Sequence, residues 1–95
     1  MRQADEEAVS SDDPLGPAAL LRRAGLRLTA QRLAVLRALS RHPHGTAEDL
    51  HAAVLSDLGT VSRQTVYDVV AALVGHGIVR RVQPAGSPAR YETRV

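Results

Sequence analysis

Within residues 62–81, SRQTVYDVVAALVGHGIVRR, a serine is followed by Arg63, Gln64 and Tyr67, in a chain whose only other aromatic residue is Tyr91. These three side chains share a chemistry. A guanidinium pairs with the two acceptors of guanine and a carboxamide with the donor and acceptor of adenine, while a phenol packs on a thymine methyl and reaches a phosphate with its hydroxyl. Arg63, Gln64 and Tyr67 therefore qualify as base readers, provided that one element presents them on one exposed face. The bland use of Tyr67 is packing against a neighbouring helix.

The element that must position them is a helix. Ser62 is its cap, Val66, Val69, Val70 and Leu73 repeat at the spacing of one buried face, and Gly77 ends it. On that wheel Gln64, Tyr67 and Ala71 point away from the core, with Arg63 one turn below Tyr67. Three shorter helical patterns precede it. The first opens at Pro17 and stops at Gly25; the second is capped by Thr29, carries Leu33, Leu36 and Leu39 or Ser40 on its apolar repeat, and ends near Pro43. In the third, Thr46 is the cap, Glu48 and Asp49 favour the positive end of the dipole, and Ala47, Leu50, Val54 and Leu58 form the stripe before Gly59. Beyond the fourth helix, IVRRVQ and ARYETR are β-like runs joined by PAGSP, the marks of a hairpin.

This order predicts a mainly α fold with a small β-hairpin. It is a winged helix, a helix-turn-helix variant of four helices followed by a two-stranded antiparallel wing, occupying residues 14–95. Such modules place a recognition helix in the major groove and a wing against backbone or minor groove. Arg80, Arg81, Arg90 and Arg94 decorate the wing.

Composition narrows the function classes. Ninety-five residues suffice for one small core, built here from Leu, Val and Ala because Phe and Trp are missing. Without cysteine there is neither a disulfide nor a thiolate metal site, and nothing places the chain in an oxidising compartment, so a cytoplasmic location is expected. No apolar run approaches the length of a membrane span. No carboxylate pair, Ser/His/Asp set or phosphate-binding glycine loop has usable spacing, and an enzyme is not expected. The charge is uneven. Residues 1–13 set Arg2 against Asp5, Glu6, Glu7, Asp12 and Asp13, a net of −4, while eleven arginines face five acids in the remainder, a net of +6. The first segment reads as a disordered acidic arm. The basic remainder either meets a polyanion or merely solubilises a surface, and charge alone leaves both open.

The runs GLRLTAQRLAVLRAL, HGTAEDLHAAV, VSRQTVYDVVAALVGHGIVRR and PAGSPARYE resemble the DNA-binding half of the ferric uptake regulator (Fur) superfamily, from about residue 15 to residue 95. SRQ-VYDV followed by QPAGS-ARYE most resembles the actinobacterial peroxide-responsive branch. The resemblance implies a sequence-specific reader of double-stranded DNA, with an A·T-rich half-site, in a metal-dependent repressor. Tyr67 matches the TVY tyrosine that contacts bases and backbone; Arg27, in LRLT, matches a basic residue that reaches toward the minor groove. Asp68 departs from the arginine that many relatives carry there, and either Arg63 or Arg32 is its candidate partner.

His44 and Glu92 match the regulatory-metal ligands that the family draws from this half. By residue type alone a lone loop histidine is an ordinary surface residue, since ligands come in clusters. His42, His51 and His76 have no such match, and structural roles suffice for them. The resemblance implies iron or manganese as the regulatory metal, with zinc a third candidate, completed by a His- and Cys-rich dimerisation half that these 95 residues do not contain. Tight metal binding by this chain alone is not expected. It should be a monomer, and a homodimer where the dimerisation half is present. The competing reading of the same residues is a winged-helix protein-interaction module, in which the Tyr67 face or the wing meets protein.

Overall fold

The computed structural model describes residues 16–94; the acidic segment 1–13, with Pro14, Leu15 and Val95, lies outside them. Its elements are α1 (Pro17–Arg23), α2 (Ala30–Arg41), β1 (Gly45–Thr46), α3 (Ala47–Leu58), α4 (Arg63–Gly75), β2 (Val79–Val82) and β3 (Arg90–Thr93). This is a winged helix: four helices and a small antiparallel sheet.

Local sequence chemistry sets the helix boundaries. Pro17 occupies the first turn of α1, where its missing N–H costs nothing. Thr29 accepts from the Arg32 amide at 3.1 Å and Ser62 from the Thr65 amide at 3.0 Å. Thr46 and Asp49 make a reciprocal capping box, the threonine oxygen taking the Asp49 amide at 3.2 Å and the Asp49 carboxylate taking the Thr46 amide at 3.0 Å. Gly59 closes α3 at φ +85°, a left-handed cap in open space, so glycine is required there by backbone angle and not by crowding. Thr46→Ala removes one capping hydroxyl and is expected to cost about 1 kcal/mol, a fall of roughly 4–8 °C in melting temperature for a domain of this size. Thermal melts followed by far-UV circular dichroism check it.

The core is entirely aliphatic. Leu21, Leu39, Leu50, Leu73, Val35, Val54, Val66 and Val79 are its largest fully buried side chains, and no polar or charged residue is buried among the described residues. On α4 the expected stripe is present, with Val66, Val70 and Leu73 buried and Val69 half-buried. On α2 the expected Leu36 and Leu39 are buried, and the buried face is wider than the expected row. Val35, Ala38 and Leu39 form its centre together with Ala34 and Leu36, whereas Leu33 is only half-buried and Ser40 is exposed. The reason is tertiary: α2 is packed by α1, α3, α4 and β3 and so buries a face wider than one helical row.

The sheet also exceeds the expected two-stranded hairpin. Its order is β1-β3-β2, because the two-residue strand β1 pairs with β3 through Gly45↔Tyr91 and Thr46↔Arg90. Gly45 permits this by being small. A Cβ there would meet the His42 Cβ at 3.0 Å and the His42 carbonyl oxygen at 3.2 Å. The β2–β3 register is Val79↔Thr93, Arg80↔Glu92, Arg81↔Tyr91 and Val82↔Arg90, which fixes the wing against the end of α4. No helix among the described residues is long and apolar enough to cross a membrane.

Candidate nucleic-acid interface

The turn between α3 and α4 aims the candidate reading helix. Ser62 caps α4, and its hydroxyl donates in turn to the Thr65 hydroxyl at 2.9 Å. His51, half-buried on α3, lies 3.1 Å from the Val61 carbonyl through Nε2; a carbonyl only accepts, so Nε2 carries the proton. His51 therefore ties α3 to the turn that starts α4. His76 plays a similar local part, Nδ1 donating to the Ala72 carbonyl at 2.9 Å.

α4 presents Arg63, Gln64 and Tyr67 outward, all exposed, as the helical wheel requires. Each of the first two is held by a carboxylate. Arg63 Nε donates to Glu48 Oε2 at 2.9 Å and Nη2 to Oε1 at 3.1 Å, a two-point pair from the start of α4 to the start of α3. That hydrogen bond holds the Glu48 carboxyl below the usual carboxylate range. Gln64 Nε2 donates to Asp68 Oδ1 at 2.8 Å, one turn along α4. Asp68 thus serves neither Arg63 nor Arg32; Arg32 Nη1 instead donates to the Arg27 carbonyl at 2.8 Å. Arg27 itself is exposed on the α1–α2 loop.

Tyr67 is 40% exposed and lines a groove of about 370 Å³ with Ala47, Val70, Ala71, Arg81 and Tyr91. The groove therefore joins α4 to the wing. Arg81 and Tyr91 are cross-strand partners, and the Arg81 guanidinium donates to Gln83 Oε1 at 2.7 Å.

Successive strand residues face opposite ways. Arg80 accordingly leaves the Tyr67 side and meets its own cross-strand partner, Glu92, donating to Oε2 from Nε at 2.9 Å and from Nη2. His44 Nδ1 stands 3.1 Å from the other oxygen, Glu92 Oε1, and Arg90 Nη1 donates to the His44 carbonyl at 3.1 Å. The structure therefore brings together His44 and Glu92, the two residues matched to metal ligands, and adds Arg80 and Arg90 to that cluster. As an imidazole and a carboxylate in contact they fit two positions of a divalent-metal shell, but among the described residues no group of three or more His, Cys, Asp or Glu is placed to hold an ion.

Arg80 is the chief cause that holds the Glu92 carboxyl below its usual range, ahead of the charge and hydrogen bond of His44. The carboxyls of Glu48 and Asp49 are lowered in the same direction, by Arg63 and by the Thr46 amide. A carboxyl depressed in the folded state stabilises fully above its unfolded value and loses that contribution as pH falls toward the folded one. Melting temperature is therefore expected to drop as pH is lowered through and below about 4.3, the unfolded glutamate value, and the drop should be shallower in Arg80→Ala. Melts between pH 6 and pH 3 test this; a rise on acidification contradicts it.

The sequence profile of the ferric uptake regulator family matches residues 23–95. The chain is 54% identical over 83 residues to ferric uptake regulation protein 1 of Mycolicibacterium fortuitum, covering 87% of this chain and 52% of that protein. It is 55% identical over 75 residues to transcriptional regulator FurA of Mycobacterium tuberculosis, covering 79% and 51%. To the peroxide-responsive repressor PerR of Staphylococcus aureus it is 37% identical over 75 residues, 78% of this chain and 51% of that one. The chain thus spans about half the length of the curated relatives it matches. Among solved structures it is similar to the Vibrio cholerae ferric uptake regulator, with a TM-score of 0.70 and 35% identity over 79% of this chain and 59% of that one. It is also similar to the Pseudomonas aeruginosa ferric uptake regulator with manganese, with a TM-score of 0.73 and 32% identity over 81% and 59%.

Proposed function

Because the chain belongs to the ferric uptake regulator family, we propose that it is the sequence-specific DNA-reading domain of a metal-dependent transcriptional repressor acting in the cytoplasm. The observation that carries this reading is the outward face of α4. Its exposed Arg63, Gln64 and Tyr67 have base-reading chemistry, and the groove beside Tyr67 is closed by Arg81 from the wing. A helix in the major groove with a cationic wing on the backbone meets both needs of specific binding, base contacts for selection and phosphate contacts for register. Arg27 is proposed to reach the minor groove of an A·T-rich half-site, where a narrow groove attracts arginine. Arg90 and Arg80 are proposed as phosphate contacts, with Arg80 shared with Glu92.

His44 and Glu92 are proposed as this domain's share of a regulatory metal site, in which an iron, manganese or zinc ion would be held by one imidazole and one carboxylate with further donors from outside the domain. Bound there, the ion supplies a signal-dependent link that orients this domain relative to the rest of a homodimer, so that two reading helices match two half-sites. Response to peroxide is the finer form of the proposal. Its support is the likeness to PerR, while the relatives at 54% and 55% identity are named for ferric uptake and as FurA.

Retention of the 95-residue chain on random-sequence duplex DNA tests the polyanion half of the reading. With about four to six phosphates contacted, log affinity should fall against log salt at a slope near −0.9 per contact. Salt-independent retention, or none at low salt, would favour the winged-helix protein-interaction module instead.

A further inference from the structure

Arg63 and Gln64, two of the exposed polar side chains of α4, are each held by a carboxylate that base reading does not require. Glu48 comes from α3, fifteen residues away in sequence, and grips Arg63 at two points, 2.9 and 3.1 Å. Asp68 comes from α4 itself and takes Gln64 Nε2 at 2.8 Å. Both sites are exposed, where an ion pair contributes little to stability. Holding the fold together is therefore a poor account of four exposed polar residues locked in two pairs.

We infer that Glu48 and Asp68 are specificity-determining positioning residues, which fix how Arg63 and Gln64 are presented before DNA arrives; the inference rests on α4 being the reading helix. The donor inventory shows how. Arginine has five N–H donors in a planar fork. Glu48 uses the Nε–H and one hydrogen of Nη2, and so leaves the Nη1–Nη2 edge, the width of a guanine O6/N7 pair, free and held in one orientation. Glutamine is ambiguous, because its amide can flip and offer either end. A carboxylate is acceptor-only, so Asp68 admits the Nε2 end of Gln64 and rejects Oε1. One N–H and the carbonyl oxygen remain, the complement of adenine N7 and N6. Ordering both side chains in the free protein also removes an entropic cost from binding, which raises the contrast between right and wrong bases.

The carboxylates act in a second way. Each is an exposed negative charge beside a reading side chain, and so repels the phosphate backbone of a duplex whose bases give nothing in return. A face with Arg63 and Gln64 but without Glu48 and Asp68 would bind DNA more readily and read it less well.

The test uses the 95-residue chain and a duplex selected by it from a randomised pool, together with the complete set of single-base-pair substitutions of that duplex and the unselected pool. Glu48→Gln is expected to lower the preference at one guanine about tenfold, leaving other positions as they were, and to leave affinity for the unselected pool equal or higher. Asp68→Asn should do the same at one adenine, because asparagine can offer either end to Gln64, and Asp68→Glu should restore the preference. Circular dichroism melts of all three variants should stay within a few degrees of the parent chain, the small loss from Glu48→Gln being that of one exposed pair. The inference is overturned if Glu48→Gln and Asp68→Asn keep every base preference while Tyr67→Ala loses its own, or if they weaken all duplexes uniformly. Should Tyr67→Ala and Arg63→Ala also leave all preferences intact, α4 is not the reader, and the proposed function falls together with this inference.

Discussion

Arg63→Ala and Tyr67→Ala are each expected to cost the chain about 1–3 kcal/mol of discrimination between a selected duplex and random DNA, roughly a factor of 5 to 150. The two losses differ in kind. On the proposed reading Arg63 supplies a charged edge to a base, so its removal would take a hydrogen-bonded pair and leave the guanine acceptors facing only a methyl group across water. Tyr67 supplies area and one hydroxyl from a side chain that is 40% exposed in the free chain. Its removal empties part of the groove between α4 and the wing. Neither change should unfold the protein, because both side chains stand outside the aliphatic core. Arg81→Ala is the contrast: if this wing arginine is a phosphate contact, as we propose, it carries no sequence information, so affinity for both duplexes should fall alike and the salt slope should become shallower by about 0.9. Fluorescence anisotropy with the two duplexes at several salt concentrations separates these outcomes. Equal losses on both duplexes for Arg63→Ala and Tyr67→Ala would remove α4 from the reading role.

What the sequence disclosed was local. Thr29, Thr46 and Ser62 are legible as caps because each bonds an amide three residues on, a relation that spacing alone reveals. The valine repeat of α4 is legible for the same reason, and with it the outward placement of Gln64 and Tyr67. Features that depend on how elements meet are not legible in the same way. The buried face of α2 is widened beyond Leu36 and Leu39 because four elements pack on it, and β1 is two residues long, too short for any period to register. The pair Glu48–Arg63 joins two helices across fifteen residues, and no helical spacing rule reaches that far. Asp68 is visible in the sequence as an anomaly after the tyrosine, but its partner is Gln64 rather than an arginine; the i, i+4 spacing of the two is the signal that identifies it. Strand alternation carries a further signal. Arg80 and Arg81 are neighbours on β2, so they must part, one toward Tyr91 and one toward Glu92.

That parting bears on the metal site proposed at His44 and Glu92. The 95-residue chain is expected to bind Zn²⁺, Mn²⁺ or Fe²⁺ with dissociation constants above about 10 μM, far weaker than a complete site whose apparent binding energy is about 10–16 kcal/mol. Divalent ions of this kind require about four to six donors. His44 and Glu92 offer one nitrogen and at most two oxygens, and the structure shows why even those are not freely given. Glu92 Oε2 already receives the Arg80 guanidinium, and His44 Nδ1 already lies 3.1 Å from Oε1. An incoming ion must displace the Arg80 cation from one oxygen or part the contact between His44 and Glu92. Arg80→Ala removes the competing cation and should tighten metal binding several-fold, whereas His44→Ala should abolish what binding there is. Because the core is formed by aliphatic packing alone, the thermal melt should be the same with and without chelator. Isothermal titration calorimetry and paired melts decide the matter. Submicromolar binding abolished by His44→Ala, or a melt that collapses in chelator, would mean that the wing and the β1 loop build a whole metal site and that Arg80 is its gate rather than its competitor.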